Sequence, residues 1–428
     1  MPEPDLIELF AQPLTLAGMN KELSNFAARL RRRFFVGDDV RSLRSHIGKS
    51  EPPHVGSYRH FNCLALELFA LQCKHNAAYQ KICKAGGLTP GIVEDWSQIP
   101  AVPTAAFKEL ELSCISPAER TAVFHSSGTT EQRPSRHFHC AVSLETYEAS
   151  LWPWFAQNVL LSADGSSAYS ENENTSTRGQ AVRAPFDAIC LTPPSAQAPH
   201  SSLIHMFEAI RQRLGAPESA FVGKIAGDDA WTLDFDAALA VLNQSPTPNY
   251  QSLLVLGTAF SFVHLLDCMV ERDLRVELPA GSRVMETGGY KNRSRALPKE
   301  QLHRLITERL GVSPENIVCE YGMSELSSQA YDGRAALPRG QEFCGRAVTH
   351  PYRVFHFPPW ARAQIISPET GREVADGETG LIRVFDLANV FSVMAIQTED
   401  LGIRRGDGFE LVGRAQMSEP RGCSLMTT

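Results

Sequence analysis

Residues 125–130 read His125-Ser126-Ser127-Gly128-Thr129-Thr130, directly after the apolar run Ala122-Val123-Phe124. The run predicts a short strand. The residues after it are small and hydroxyl-bearing, around a glycine that lets the backbone fold back closely. Consecutive N–H groups in such a turn form an anion-binding nest, and serine and threonine hydroxyls add donors for phosphate oxygens. Taken alone, the hexapeptide also reads as a plain polar loop after a strand. What decides between the two is the rest of the chain.

From Thr121 onward strand and helix patterns alternate, so the fold class is α/β. Ala188 to Leu191 and Leu253 to Leu256 read as buried strands. Ser202 is placed to cap a helix carrying Leu203, Phe207, Ile210 and Leu214, with Gly215 as its stop. A second helix runs from Lys299 to Leu310, ended by Gly311. Upstream, residues 1–115 read as mostly helical. Phe61, Leu64, Leu68 and Leu71 recur at helical spacing, Tyr79 and Ile82 continue the stripe, and Gly86-Gly87 is the expected stop. Downstream of Gly340 the pattern turns to strands at 363–366, 380–385 and 391–396, separated by turn residues. The expected organisation is a helical part (1–115), an α/β core (116–340), a small β-rich subdomain (341–412) and a mobile tail (413–428). Residues 162–183, rich in Ser, Asn, Glu and Gly, are expected to be a mobile insertion.

Three further pieces follow the first. Glu286-Thr-Gly-Gly-Tyr290 comes after a short strand. Gly288 and Gly289 would let a flat group approach the backbone, and Tyr290 could stack on it, although the same residues suit a tight turn. Next is Glu320-Tyr-Gly-Met-Ser-Glu325, at a strand end of the kind where α/β sheets bind ligands. The Ser324 hydroxyl could reach a phosphate, and the Glu325 carboxylate could hold Mg²⁺. The last is Thr398-Glu-Asp-Leu-Gly402 with Gly413-Arg414. Asp400 suits a pair of ribose hydroxyls, or else a hairpin with a polar strand end. No GxxxxGK[ST] phosphate loop occurs. Arg133, Arg136 and His137 are the nearest replacements for its lysine.

Composition excludes some classes. With 43% apolar and 21% charged residues, the 428-residue chain has the balance of a globular protein. A net charge of -7 argues against coating nucleic acid. No apolar run reaches transmembrane length and the N-terminus lacks a secretory signal pattern, so the expectation is a cytoplasmic protein with no membrane span. Ten cysteines with no CxxC pair fit reduced thiols. His137-Phe-His139-Cys140 offers three metal ligands, but no further pair has zinc-like spacing.

Together and in this order, the four pieces resemble the adenylate-forming superfamily of acyl- and aryl-CoA ligases. Ser126 to Thr130 matches its phosphate loop, Glu286 to Tyr290 its adenine-side loop, Tyr321 to Glu325 its Tyr-Gly-x-[Ser/Thr]-Glu motif, Asp400 its ribose aspartate, and Gly413-Arg414 the start of its hinge. Glu131 stands where that family commonly has glycine. A typical ligase continues after the hinge into a C-terminal domain that carries a lysine. Here only fourteen residues follow, with Cys423 in Arg421-Gly-Cys-Ser-Leu425. An extended tail lets Cys423 reach about 30 Å, and Arg421 beside it would favour the thiolate.

That arrangement is similar to the LuxE-type acyl-protein synthetases of the fatty-acid reductase system. Other matching stretches include Leu191-Thr-Pro193, Ser201-Ser-Leu203, Gly257-Thr-Ala-Phe260 and Thr398-Glu-Asp-Leu-Gly402. The resemblance implies the large domain of an adenylate-forming enzyme without the usual C-terminal domain. It implies ATP and Mg²⁺ as cofactors and a carboxylic, fatty-class acid as substrate. ATP-binding residues would be His125, Ser126, Ser127, Gly128, Thr129, Thr130, Gly288, Gly289, Tyr290, Tyr321, Gly322, Met323, Ser324, Asp400 and Arg414. Glu325 would act in catalysis and hold the metal. Cys423 would take the acyl group as a thioester, for delivery to an acyl-protein or acyl-CoA reductase, with an acyltransferase subunit as a further partner. Trp152, Trp154, Phe260 and Phe262 are candidate acyl-pocket linings, though aromatic residues near strand ends are more often plain core. A stand-alone CoA-type ligase with an incidental Cys423, and a non-enzymatic nucleotide-binding scaffold, are the alternatives.

Overall fold

The computed structural model describes residues 20–34, 53–126, 133–160, 186–217, 220–225, 231–243, 252–288, 295–332 and 353–415. Among the sequence-derived candidates, Ser127, Gly128, Thr129, Thr130, Gly289, Tyr290, Cys423 and the 162–183 segment lie outside these residues.

Three helices open the described chain. α1 (Lys21–Phe34) buries Leu23, Phe26, Ala27, Leu30 and Phe34 along one face. Arg31, Arg32 and Arg33 fall in its last turn, where cations complement the helix dipole. α2 (Pro53–His75) and α3 (Ala77–Ala85) divide the apolar stripe that the sequence suggested was continuous. The break is Asn76, an extended residue whose side chain accepts from the Tyr79 N–H at 3.0 Å and so caps α3. Gly86 closes α3.

β1 (Val102–Pro103) and α4 (Ala106–Glu109) lead to a hairpin of β2 (Ala122–His125) and β3 (Arg136–His139), which pair only with each other among the described residues. α5 (Ala141–Phe155) contains Pro153 and continues as a π-helical turn over Ala156–Leu160, an irregularity of the kind proline induces.

The central sheet follows. β4 (Phe186–Cys190) leads to α6 (Ser202–Leu214), a short hairpin of β5 (Gly223–Ile225) and β6 (Trp231–Leu233), and α7 (Phe235–Leu242). β7 (Ser252–Thr258), α8 (Ala259–Glu271), β8 (Arg283–Thr287), α9 (Lys299–Leu310), β9 (Ile317–Tyr321) and β10 (Ala330–Tyr331) complete it. The strand order is β10-β9-β8-β7-β4, with β10 antiparallel and the other four parallel. Leu253, Val255, Val284 and Ile317 join the core on the α7–α9 side, while Leu254, Leu256, Met285 and Val318 join that on the α5–α6 side. Both faces are covered, which is why these strands read as unbroken apolar runs. Gly215 and Gly311 end α6 and α9 at φ +67° and +68°, but the cap of α6 is Ser201, one residue before the expected Ser202.

A second sheet comprises β11 (Ala361–Ile366), β12 (Thr379–Asp386), β13 (Ala395–Arg405) and β14 (Gly408–Arg414). β1 and β14 both pair along the side of β13 opposite β12, β1 in parallel at Ile396 and Gln397. Leu23, Phe26, Phe69 and Trp96 share one core with Phe385, Val393 and Ile396 of this part, so the N-terminal helices and the second sheet are packed together. Full burial of each such aromatic contributes about 1.5–3 kcal/mol.

Candidate functional site

The site is built where β9 ends and β13 passes it. Tyr321, the last residue of β9, is 6% exposed, and its hydroxyl donates to Asp400 Oδ2 at 2.9 Å. Asp400 lies mid-strand in β13, directly opposite Arg414 of β14, whose Nε is 3.9 Å from Asp400 Oδ1. Burial pushes the Asp400 carboxyl above its ordinary value, against the Tyr321 hydrogen bond and the Arg414 charge. The backbone N–H of Asp400 donates to Thr398 Oγ1 at 3.1 Å, fixing the strand locally. Three candidates from two separate pieces of the sequence thus meet.

Beyond Tyr321 the chain turns through Gly322, Met323, Ser324 and Glu325. A Cβ at Gly322 would meet the Glu320 carboxylate oxygen, so only glycine fits without displacing that group. Glu320 itself is buried beside Thr287, whose hydroxyl donates to it. Burial raises Glu320 to about 7, and nearby Glu286 adds to the rise. Gly288, just past β8, has φ +68° and open space where a Cβ would stand. Met323 packs against the large core.

Glu325 is 4% exposed and takes the Ser324 hydroxyl on Oε2 at 3.0 Å. Its main-chain carbonyl accepts from the Asn389 amide at 2.9 Å. Asn389 also donates to Val393 O, and Asp386 accepts from Ser327 N and Ser328 Oγ. A fully bonded buried network therefore holds the turn after the motif.

The β2–β3 hairpin reaches the same turn. His137 Nδ1 bonds the Ser324 carbonyl at 2.7 Å, and burial lowers His137 to about 4, so it is neutral near pH 7. At the hairpin end, Ser126 N–H donates to Ser135 Oγ (3.3 Å) and Ser135 N–H to Ser126 Oγ (3.0 Å). The expected strand before the Ser/Gly/Thr stretch is β2, which pairs with β3, and β3 reaches the β9 turn through His137. His125 stacks on His200 at 4.8 Å.

Sequence reasoning passed over several neighbours. On α9, Lys299 and His303, one turn apart, face the strand ends. His303 Nε2 lies 3.2 Å from Glu286 Oε1, and Lys299 Nζ lies 2.5 Å from Asp332 Oδ2, whose other oxygen takes the Cys319 N–H at 2.6 Å. Burial works to raise the Glu286 carboxyl, but His303 and Lys299 outweigh it and hold the group below its ordinary value. The i, i+4 spacing of 299 and 303 was the available signal. Asn389 and Asp386 carried none, since they lie in the short segment between two runs that read as strands.

The donor set fits a nucleoside triphosphate. Asp400 Oδ1 has only the distant Arg414 Nε among the described residues, which leaves it an acceptor for hydroxyls. Gly288 and Gly322 keep the strand ends clear of side chains. One buried carboxylate, Glu325, suits Mg²⁺, which binds through one or two carboxylates plus phosphate oxygens. Among the described residues no group of three His, Cys, Asp or Glu side chains converges to hold a metal. His137 and His139 share a face, with rings 4.4 Å apart, but His137 Nδ1 is taken by Ser324 O and His139 Nδ1 by Ser143 Oγ. The four aromatic candidates do not line one space. Trp154 belongs to the core on the α5–α6 side, Phe262 to that on the α7–α9 side, and Phe260 stacks on Trp231.

The sequence model of the family described as acyl-protein synthetase, LuxE, matches residues 181–428. The chain belongs to the LuxE family. Two relatives are each named long-chain-fatty-acid–luciferin-component ligase. The one from Vibrio harveyi is 23% identical over 361 residues, 82% of either chain. The one from Aliivibrio fischeri is 27% identical over 188 residues, and the match spans 41% of this chain and 45% of that relative. In structure, this LuxE-family chain is similar to a 2-hydroxyisobutyryl-CoA ligase. An open form solved with 2-HIB-AMP and CoA gives a TM-score of 0.56 at 13% identity, covering 87% of this chain and 82% of the ligase. The same enzyme in its thioester-forming state gives 0.57, covering 85% and 69%. The fold is that of the adenylate-forming enzymes. No helix among the described residues of this LuxE-family protein is long and apolar enough to cross a membrane.

Proposed function

We propose that this chain activates a fatty-class carboxylic acid with ATP and Mg²⁺ and then carries the acyl group on its own Cys423. The acid's carboxylate oxygen attacks the α-phosphorus, the bond to the β-phosphate oxygen breaks, and pyrophosphate leaves. The Cys423 thiolate then attacks the acyl carbon, and AMP leaves with the carboxyl oxygen. Asp400 receives the ribose hydroxyls, with Tyr321 and Arg414 setting its orientation and charge. The Ser126–Thr130 loop donates to phosphate oxygens, with Ser324. Gly288, Gly289 and Tyr290 bound the adenine side, with Gly322 and Met323 shaping the turn beneath it. Glu325 holds Mg²⁺, which when bound offsets charge on the transferred phosphate. The 413–428 segment presents the thioester to a partner, an acyl-accepting reductase, with an acyltransferase subunit as a further member of the complex.

The observation that carries this reading is the Tyr321–Asp400–Arg414 constellation at the end of β9. It supplies an acceptor for a diol beside a buried aromatic, in a chain of this family. Acid-dependent exchange of labelled pyrophosphate into ATP tests it. The expected result is exchange with a fatty acid and Mg²⁺, abolished by Asp400→Ala. A nucleotide-binding scaffold would bind ATP without exchange, and a CoA-type ligase would exchange and also release acyl-CoA.

A further inference from the structure

At the Ser126–Ser135 end of the β2–β3 hairpin the described residues gather three basic side chains, Arg136, His125 and His200. In the β2–β3 hairpin His125 is paired directly opposite Arg136, so both side chains lie on one face. The segment before α6 comes back to this point. His125 N–H donates to His200 O at 2.9 Å, and His200 Nδ1 lies 3.1 Å from the Val123 carbonyl. The two imidazoles stack at 4.8 Å with 28° between planes. A carbonyl partner requires Nδ1 of His200 to carry the hydrogen, so Nε2 becomes a donor only when the ring is protonated.

Arg136 Nε is shielded from solvent without a hydrogen-bond partner, and its guanidinium lies 5.7 Å from the Phe138 ring. Among the described residues no carboxylate forms an ion pair with it. Glu111, the acid that senses Arg136, is already paired to Arg120, which lies over Phe138 further along the same hairpin face. His125 shows the strain of this crowding: burial, His200 and Arg136 all lower its proton affinity. His125 and Arg136, each adjacent in sequence to one of the paired Ser126 and Ser135, and His200, stacked on His125, make a half-site for a polyanion.

We propose that Arg136 and His200, with His125, hold the terminal phosphates of ATP and the departing pyrophosphate. The inference rests on the adenylating reading above and replaces the phosphate-loop lysine this chain lacks. Binding a polyanion there offsets the positive charge that, with burial, lowers the proton affinity of His125, so pyrophosphate binding takes up protons at His125 and weakens as pH rises past the histidine range.

The test is calorimetric titration of the full chain with magnesium pyrophosphate, in two buffers of different ionisation enthalpy, beside Arg136→Gln, Arg136→Lys and His200→Gln. Arg136→Gln and His200→Gln are each expected to weaken binding about ten-fold, with Arg136→Lys recovering much of the loss. Thermal melts of each variant identify any that fail to fold, and the variants that do fold keep the test open in that case. Pyrophosphate affinity within two-fold of wild type in both Arg136→Gln and His200→Gln overturns the inference, and so does absence of binding by wild type. Variants that raise only the acid's KM and leave pyrophosphate untouched also overturn it, by assigning the cluster to the carboxylate. Pyrophosphate binding that depends on these residues, in a protein that performs no exchange with any acid, would leave the anion site standing and refute the adenylating reading alone.

Discussion

The Tyr321 hydroxyl donates to Asp400 Oδ2 at 2.9 Å, joining two residues that lie 79 positions apart in the chain. It ties the central sheet to the second one at the point where a nucleotide would bridge them. Tyr321→Phe removes the donor and leaves the ring. A hydrogen bond to a charged group is worth about 1.5–3 kcal/mol, so the ATP KM is expected to rise about ten-fold or more with little change in fold stability. Pyrophosphate-release kinetics at varied ATP check this. An unchanged KM would detach the pair from nucleotide binding.

Glu320 gives a pH signature. Its carboxyl is buried and raised from 4.5 to about 7. The folded state therefore keeps a proton that the unfolded chain releases. That stabilisation is present below the unfolded value and is lost as pH rises through about 7. Glu320→Gln has no proton to lose. Relative to wild type, its melting temperature should rise between about pH 5 and about pH 8, by the equivalent of about 2 kcal/mol. Parallel melting curves for the two proteins would place the carboxyl in an ordinary environment.

Gly322 and Glu320 should be coupled. Gly322→Ala puts a Cβ where the Glu320 carboxylate oxygen stands and pushes that group off Thr287. The single change is expected to destabilise by about 1–3 kcal/mol. Adding Glu320→Ala should make Gly322→Ala nearly neutral, which denaturant unfolding of the four proteins in the cycle will show. Strict additivity would mean that the glycine serves another purpose.

Asn389 is the brace of the motif turn. Its amide donates to the carbonyls of both Glu325 and Val393, and it is 1% exposed. Asn389→Ala strands both carbonyls and should cost about 2–4 kcal/mol. If Glu325 depends on this brace, the Mg²⁺ concentration needed for half-maximal exchange should rise as well. A stability loss without a change in Mg²⁺ dependence would limit Asn389 to the fold.

Periodicity made the central sheet legible, because strands buried on both faces must be apolar throughout, as at Leu253 to Leu256. The same signal misled at Phe391 to Met394. That run is apolar and buried but lies outside any strand, and β13 begins only at Ala395 and continues through Asp400 to Arg405. Its backbone is satisfied by polar side chains: Gln72 accepts from Met394 N–H and Asn76 bonds Ser392 O across 322 and 316 positions, and Asn389 bonds Val393 O from four residues upstream. Contacts as far apart as the first two leave no local pattern. The candidate motifs stood out for the opposite reason, since tight turns at strand ends gather small or polar residues together. Their mutual contacts were not legible, and neither was His200, which reaches the hairpin only through the fold.

The most direct test of the central claim is intact-mass measurement after incubation with ATP, Mg²⁺ and a series of carboxylic acids, wild type beside Cys423→Ser. The expected result is a mass gain equal to one acyl group, removed by hydroxylamine and absent from the variant. Pyrophosphate release without any mass gain, with CoA yielding acyl-CoA equally in both proteins, would contradict self-acylation and make Cys423 incidental.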